Sequence, residues 1–383
     1  MADSSKPTVL IIGGLGFIGR HLALYLHENN LASEVRIVDK VLPQLAWLAP
    51  EFEEACSKEK FVQADASREH LGENDERSEG TNPAAEHIPR IFDRADGKEF
   101  DYVINCGGET RHSQPDDVYE ARSFALTMTL AKECARRGIS AFVETSTAHP
   151  PPHPRKETDK IQPWHNLAKW KIKASDELMK IPNLQYCALR LPHVYGAYNS
   201  DYFAMLICVA RVNVEMQQDL DLLYNKDVKV NTLHVRDAAS ALWRAAEWRA
   251  SVGKLEPSNP KIPDIFKDSS RPIAFNVVDH NDTKQQHLAE ALTEVFGLKV
   301  SFVGSLASQL AKLNLDEVLD DMNEVNLQEW AELVAKKEIP RPDMSVDGSL
   351  FESTTGWKPK YETFNADSVR EMVESYKRMN WWP

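Results

Sequence analysis

The run Thr8-Val9-Leu10-Ile11-Ile12, followed directly by Gly13-Gly14-Leu15-Gly16-Phe17-Ile18-Gly19, constrains this 383-residue chain more than any other stretch. A short, continuous, largely β-branched run reads as a strand buried on both faces, as parallel sheets require. The glycines after it serve separate needs: a tight turn, close approach of backbone N–H groups to a ligand, and close packing of a helix on the strand. Phe17, Ile18, Leu22, Tyr25 and Leu26 then recur at helical spacing. Strand, turn and helix predict the opening unit of an α/β fold.

The free N–H groups at such a helix start carry partial positive charge, so they can hold a pyrophosphate without a lysine. A second strand, Val35-Arg36-Ile37-Val38, ends at Asp39, twenty residues after Gly19. A carboxylate there accepts both hydroxyls of an adenosine ribose and repels a 2'-phosphate. The expected cofactor is NAD, with NADP disfavoured; Lys40 next door is the one feature pointing the other way.

Composition narrows the class. Hydrophobic residues make up 42% and charged residues 27%, as in soluble globular proteins. The net charge of −13 argues against nucleic acid or an acidic membrane as the main partner, without excluding a local basic pocket. No stretch approaches the roughly 20 apolar residues of a membrane span. Residues Met1 to Lys6 lack the layout of a signal peptide. Cys56, Cys106, Cys134, Cys187 and Cys208 are scattered and odd in number, which reads as reduced thiols in a cytoplasmic protein.

Strand patterns near 8–12, 35–38, 60–63, 101–105, 140–145 and 185–190 alternate with helical periodicity, which predicts a doubly wound parallel sheet. The polar, acidic stretch 71–89 reads as an inserted surface loop. After residue 191 the pattern loosens into helices near 200–217 and 236–250, a proline-rich connection over 256–272 and a short strand near 274–278. Residues 305–337 carry leucines at helical spacing and read as an amphipathic helical cap. The expected division is a dinucleotide-binding unit over 1–190 and a smaller, mainly helical substrate-binding region over 191–383. A strand and helix near 228–250 are expected to return to the first unit.

In order and spacing, the first 280 residues or so resemble the extended short-chain dehydrogenase/reductases, the superfamily of NAD-dependent epimerases, dehydratases and hydroxysteroid-type dehydrogenases. Gly13, Gly16 and Gly19 with Phe17-Ile18 match its glycine motif. The resemblance places Asp65 and Ala66 against the adenine, and Cys106, Gly107 and Gly108 in the small-residue turn beside the cofactor. It places Pro192 and Val194, in Arg190-Leu191-Pro192-His193-Val194-Tyr195-Gly196, near the nicotinamide, and matches His234-Val235-Arg236-Asp237 to the start of a later helix.

The catalytic trio of that superfamily is a Ser or Thr after the fifth strand, then Tyr and Lys spaced Tyr-x-x-x-Lys. Here the resemblance implies Thr147, with Ser146 next best, and Lys169; the tyrosine position holds His165. The hydroxyl would bind the substrate oxygen, His165 would move the proton, and Lys169 would hold the nicotinamide ribose. A helix-start residue without catalytic duty is the other reading of His165. His149, His153 and His165 complete no recognised ligand spacing, so no metal is expected.

Two functions follow: hydride transfer on a secondary alcohol or ketone of a small molecule, or a cofactor-binding member without catalysis, serving redox sensing or assembly. The resemblance also implies a homodimer through the helices bearing the motif, where Trp164 and Trp170 lie.

Overall fold

The computed structural model describes residues 5–67, 84–111, 114–148, 156–161, 163, 166–223, 225–268, 271–303 and 345–382. Its centre is a seven-stranded sheet of β1 (Thr8–Ile12), β2 (Glu34–Asp39), β3 (Phe61–Gln63), β4 (Tyr102–Asn105), β5 (Ala141–Thr147), β6 (Tyr186–Leu191) and β10 (Ala274–Asn276). The order is β10-β6-β5-β4-β1-β2-β3 and every pairing is parallel. All residues of β1 are buried, as the apolar run predicts. Strand order reverses between β1 and β4, so a crevice opens at their carboxyl ends, where open α/β sheets bind ligands.

Helices flank the sheet, giving the Rossmann-type arrangement expected. α1 (Phe17–Glu28) packs on α7 (Val235–Val252), which also covers β4, β5 and β6. α3 (Asp116–Tyr119) continues through a π-helical stretch, Glu120–Ala125, into α4 (Leu126–Arg137), and α5 (Asn166–Leu178) packs against α4 and β5.

Three expectations change. Residues 84–89, read as the end of a loop, belong to helix α2 (Ala84–Phe92), because Ile88, Ile91 and Phe92 share a buried face. Residues 68–83 of that insertion lie outside the described residues. The strand expected near 228–234 is β9 (Thr232–His234), which pairs with β7 (His193–Tyr195) and not with the central sheet. Pro192 separates β6 from β7 and has no N–H for a ladder, so the chain leaves the sheet there. The strand that joins the sheet is β10, in register with β6 at Ala274↔Ala188. The helix of the expected pair, α7, does return to the sheet.

A second hydrophobic cluster gathers Tyr195, Phe203, Ile207, Leu288, Val369 and Met372 from β7, α6 (Tyr202–Glu215), α8 (Gln285–Phe296) and α10 (Ala366–Arg378). Beside it β8 (Leu220–Leu223) pairs with β11 (Val300–Val303), while α9 (Ser349–Thr355) packs on β10. The predicted cap at 305–337 lies outside the described residues. Among the described residues no helix is long and apolar enough to cross a membrane, and no group of His, Cys, Asp or Glu is placed to hold a metal. The cysteines are unpaired thiols, and burial pushes Cys56 up to about 11 and Cys106 and Cys187 up to about 12.

Candidate functional site

The glycine turn is fixed by contacts only glycine allows. Gly13 has a left-handed φ of +67°, donates its N–H to Val38 O at 2.8 Å, and would put a Cβ 2.7 Å from Gly107 Cα. A Cβ on Gly19 would lie 2.3 Å from Gly13 O, so the third glycine seats α1 on the turn. Gly16 differs. It is exposed, and its nearest obstacle is Gly13 O at 3.2 Å. It also caps α1 without any side-chain hydrogen bond, which leaves the first N–H groups of the helix open. The turn therefore has the shape and polarity to take a pyrophosphate. Phe17 and Ile18 follow as half-buried residues, Ile18 packing on the core.

At the end of β2, Asp39 Oδ2 accepts the N–H of Leu15 at 3.1 Å and Oδ1 accepts that of Val41 at 3.0 Å. The carboxylate thus ties the second strand to the glycine turn while staying half-exposed, with lone pairs left for hydroxyl donors. Lys40 is exposed. Past β3, Asp65 Oδ1 accepts from Ser67 N and Oγ, at 3.1 and 2.6 Å, and Ala66 is buried beneath that turn.

The other wall is the end of β4. Cys106 N donates to Ile12 O, and Gly107 N to Asn105 Oδ1, drawing the Gly107–Gly108 turn against the glycine turn. Asn105 is fully buried and donates Nδ2 to Glu144 Oε2 at 2.7 Å. Glu144, on β5 and 1% exposed, also accepts from Thr127 Oγ1 and from Lys171 Nζ at 2.9 Å. Lys171 Nζ donates to Thr145 O as well, and lies 3.2 Å from the point where a Gly108 Cβ would sit. A buried ammonium thus stands at the ends of β4 and β5.

Lys169 stands elsewhere. It is half-exposed and its Nζ donates to Asp116 Oδ2 at 3.0 Å, beside Trp170, whose Nε1 donates to Asp116 Oδ1. Two residues on a helix are about 200° apart, so Lys169 and Lys171 cannot face one cleft together. The inward stripe of α5 is Ala168, Lys171, Ala174, Ser175 and Leu178. Its spacing of three and four was the available signal for Lys171, which sequence reasoning missed. Thr147 ends β5, half-buried, opposite Leu191; Ser146 is buried. His165 and Trp164 lie outside the described residues. Pro192 is buried between β6 and β7, and Val194 is half-buried on β7. His234 caps α7 through Nδ1, and Asp237 accepts the N–H groups of Lys360 and Tyr361, so both brace the structure.

A sequence model of the NAD dependent epimerase/dehydratase family matches residues 9–259. The chain belongs to that family. Binding of NAD(H) goes with this membership, and the cradle described above fits the group. Solved structures share the fold over nearly the whole chain. Pal from Bacillus thuringiensis is 16% identical, with 97% of this chain and 99% of that one covered at a TM-score of 0.65. The Bordetella bronchiseptica enzyme WbmG, solved with NAD and UDP, is 14% identical, with coverages of 99% and 96% at 0.65. The UDP-Glc/GlcNAc 4-epimerase of Campylobacter jejuni is 19% identical, with coverages of 97% and 99% at 0.63. Among curated proteins, the decarboxylating sterol-4-alpha-carboxylate 3-dehydrogenase of Saccharomyces cerevisiae is 26% identical over 146 residues, 38% of this chain. The match spans 36% of that relative's length.

Proposed function

We propose that the chain is an NAD-dependent enzyme of the oxidoreductase and epimerase/dehydratase type, acting by hydride transfer at a secondary alcohol or ketone of a small molecule. The observation that carries this reading is the buried Lys171 ammonium at the ends of β4 and β5, facing the Gly107–Gly108 turn across from the glycine turn of β1. Bound NAD supplies the hydride acceptor or donor.

The chain's own groups do the rest. Gly13, Gly16 and Gly19, with the open start of α1, receive the pyrophosphate. Asp39 accepts the adenosine ribose hydroxyls and disfavours a 2'-phosphate, which selects NAD over NADP. Asp65 and Ala66 border the adenine. Cys106, Gly107, Gly108, Pro192 and Val194 line the reacting end. Lys171, in place of Lys169, holds the nicotinamide ribose, and its positive charge favours deprotonation of a nearby donor. Thr147 orients the substrate oxygen and His165 moves the proton to or from it.

One observation favours a second reading, in which the cofactor is bound and not used. The position one turn before Lys171 is Leu167, which carries no proton. Proton transfer then falls to His165, which precedes α5 in the chain. The names of the sterol-4-alpha-carboxylate 3-dehydrogenase and the UDP-Glc/GlcNAc 4-epimerase supply two scaffolds, a sterol carboxylate and a nucleotide sugar, for the first substrate panel. Deuterium-labelled secondary alcohols test the proposal: stereospecific transfer of label to the nicotinamide, lost in Thr147→Val and His165→Ala, is the expected result. NAD binding with no transfer across the panel overturns it in favour of the second reading.

A further inference from the structure

We propose that Arg111 and Arg122 form a subsite for an anionic substituent of the substrate, of the carboxylate or phosphate class, beside the reacting end of the cofactor. The inference rests on the cofactor placement proposed above.

Glu109 directly follows the Gly107–Gly108 turn, and its N–H donates to Ser123 Oγ at 3.0 Å. Its side chain is only 6% exposed, yet both carboxylate oxygens are used. Oε1 accepts Arg111 N at 3.1 Å and Nε at 2.9 Å; Oε2 accepts Arg111 Nη2 and Arg122 Nη1, each at 2.9 Å. One buried carboxylate therefore pins two guanidiniums, and the trio carries a formal charge of +1. The hydrogen bonds from Arg111, joined by one from Arg122, hold Glu109 down at about 2, so it stays ionised and keeps both arginines in place at working pH.

The guanidiniums themselves face outward, 63% and 45% exposed. Each has five N–H donors. Among the described residues Arg111 spends two of its side-chain donor atoms, on Glu109, and Arg122 spends one. The remaining donors form planar forks of the kind that match carboxylate and phosphate oxygens, already immobilised before any ligand arrives.

Their position is set by an unusual piece of backbone. Arg122 and Ser123 lie in the π-helical stretch Glu120–Ala125 between α3 and α4. Such turns are rare and concentrate at functional sites, because the extra residue rotates the side chains before it relative to those after it. Here the rotation brings Arg122 onto Glu109 and Ser123 onto the Gly108 turn together, where a Gly108 Cβ would be 3.3 Å from Ser123 Oγ. Neutralising Glu109 needs only the bidentate Arg111. The second arginine makes the cluster a net cation in a chain of net charge −13.

The test uses the full chain loaded with NADH and titrated calorimetrically with acetate, benzoate and inorganic phosphate. Saturable binding of one anion per chain is expected, and the tighter arm identifies carboxylate or phosphate. Arg122→Gln keeps the Arg111–Glu109 fork, so it should fold and retain NADH, while anion affinity falls by roughly tenfold or more. Arg122→Lys should recover only part, since an ammonium lacks the planar fork. NADH binding without saturable anion binding, or undiminished anion binding by folded Arg122→Gln, overturns the subsite alone. Failure of the wild type to bind NADH overturns the cofactor reading, and the subsite with it.

Discussion

Replacing Lys171 with methionine separates the two lysines of α5 most sharply. Met keeps most of the aliphatic volume and removes the ammonium that bonds Glu144 Oε1 and Thr145 O. Glu144 is 1% exposed, so its carboxylate is left inside the protein with only neutral donors, Asn105 Nδ2 and Thr127 Oγ1. Removing one partner of a buried ion pair costs about 3–5 kcal/mol, because the desolvated charge remains. With an unfolding entropy of about 2.1 cal/mol/K per residue, a chain of 383 residues loses about 1.2 °C of Tm per kcal/mol, which gives a drop of about 4–6 °C.

Lys169→Met breaks a pair whose members are half-exposed, 50% and 51%, and should cost no more than about 1 kcal/mol. Urea unfolding followed by tryptophan fluorescence, with thermal melts in parallel, reads both. The double variant Lys171→Met/Glu144→Gln removes the stranded charge while a glutamine still accepts from Asn105 and donates to Thr127, so it should regain at least half the loss. A coupling of about 0.5–3 kcal/mol in that cycle is expected. NADH affinity, measured well below Tm, should fall roughly tenfold or more in Lys171→Met and change little in Lys169→Met. Equal destabilisation by the two single variants, or a double variant no more stable than Lys171→Met, would refute the reasoning.

Gly16→Ala meets only Gly13 O, at 3.2 Å, so it should fold with a Tm within a few degrees of wild type and lose NADH binding at least tenfold by equilibrium titration. Gly13→Ala, with φ of +67° and a Cβ 2.7 Å from Gly107 Cα, should instead lose stability by more than about 1 kcal/mol in urea. Under the proposed role of Asp39, Asp39→Asn should raise affinity for NADP relative to NAD, measured as the ratio of their Kd values, because the repulsion of a 2'-phosphate disappears. Stability against pH should fall on two limbs. Glu109, held at about 2 against an ordinary 4.5, binds protons less tightly folded than unfolded; its contribution is present above about 4.5 and is lost as pH falls toward 2. Burial pushes Asp279 up from 3.8 to about 7, so the native state holds that proton more tightly and stability declines as pH rises from about 4 to 7. Arg111→Gln should flatten the acid limb of urea-derived stability, and Asp279→Asn the neutral one.

The elements legible in the sequence were those whose reasons are local. An apolar run before three glycines can only be a buried strand and a tight turn, and Asp39 closes that unit within a single supersecondary motif. The strand expected to return near 232 was misplaced because its partner is chosen at long range. Pro192 ends the ladder with β6, and β10 then takes the sheet edge, a competition no window of sequence displays. Helix α2 was hidden for a different reason: three buried apolar residues sit at the end of a polar, acidic stretch whose average masks them.

The lysine is the instructive case. Motif spacing pointed to Lys169 because His165 could be set in the tyrosine's place. Helical phase pointed to Lys171, because Ala168, Ala174, Ser175 and Leu178 mark the inward stripe. The two criteria disagree by about 200° of helix rotation, and burial puts Lys171 on the inward face, which is why the proposed function assigns it the ribose. A lysine aligned with small and apolar neighbours on an inward face must find a carboxylate, and Glu144, a charged residue in a strand otherwise buried throughout until Thr147, was the partner waiting in the sequence. Read as a pair, the two charges locate the ends of β4 and β5 without a motif, and they leave Leu167 where a helical proton carrier would stand. Under the proposed function the proton then falls to His165, so His165→Ala should abolish hydride transfer and leave NADH affinity unchanged, which separates the reaction from cofactor binding.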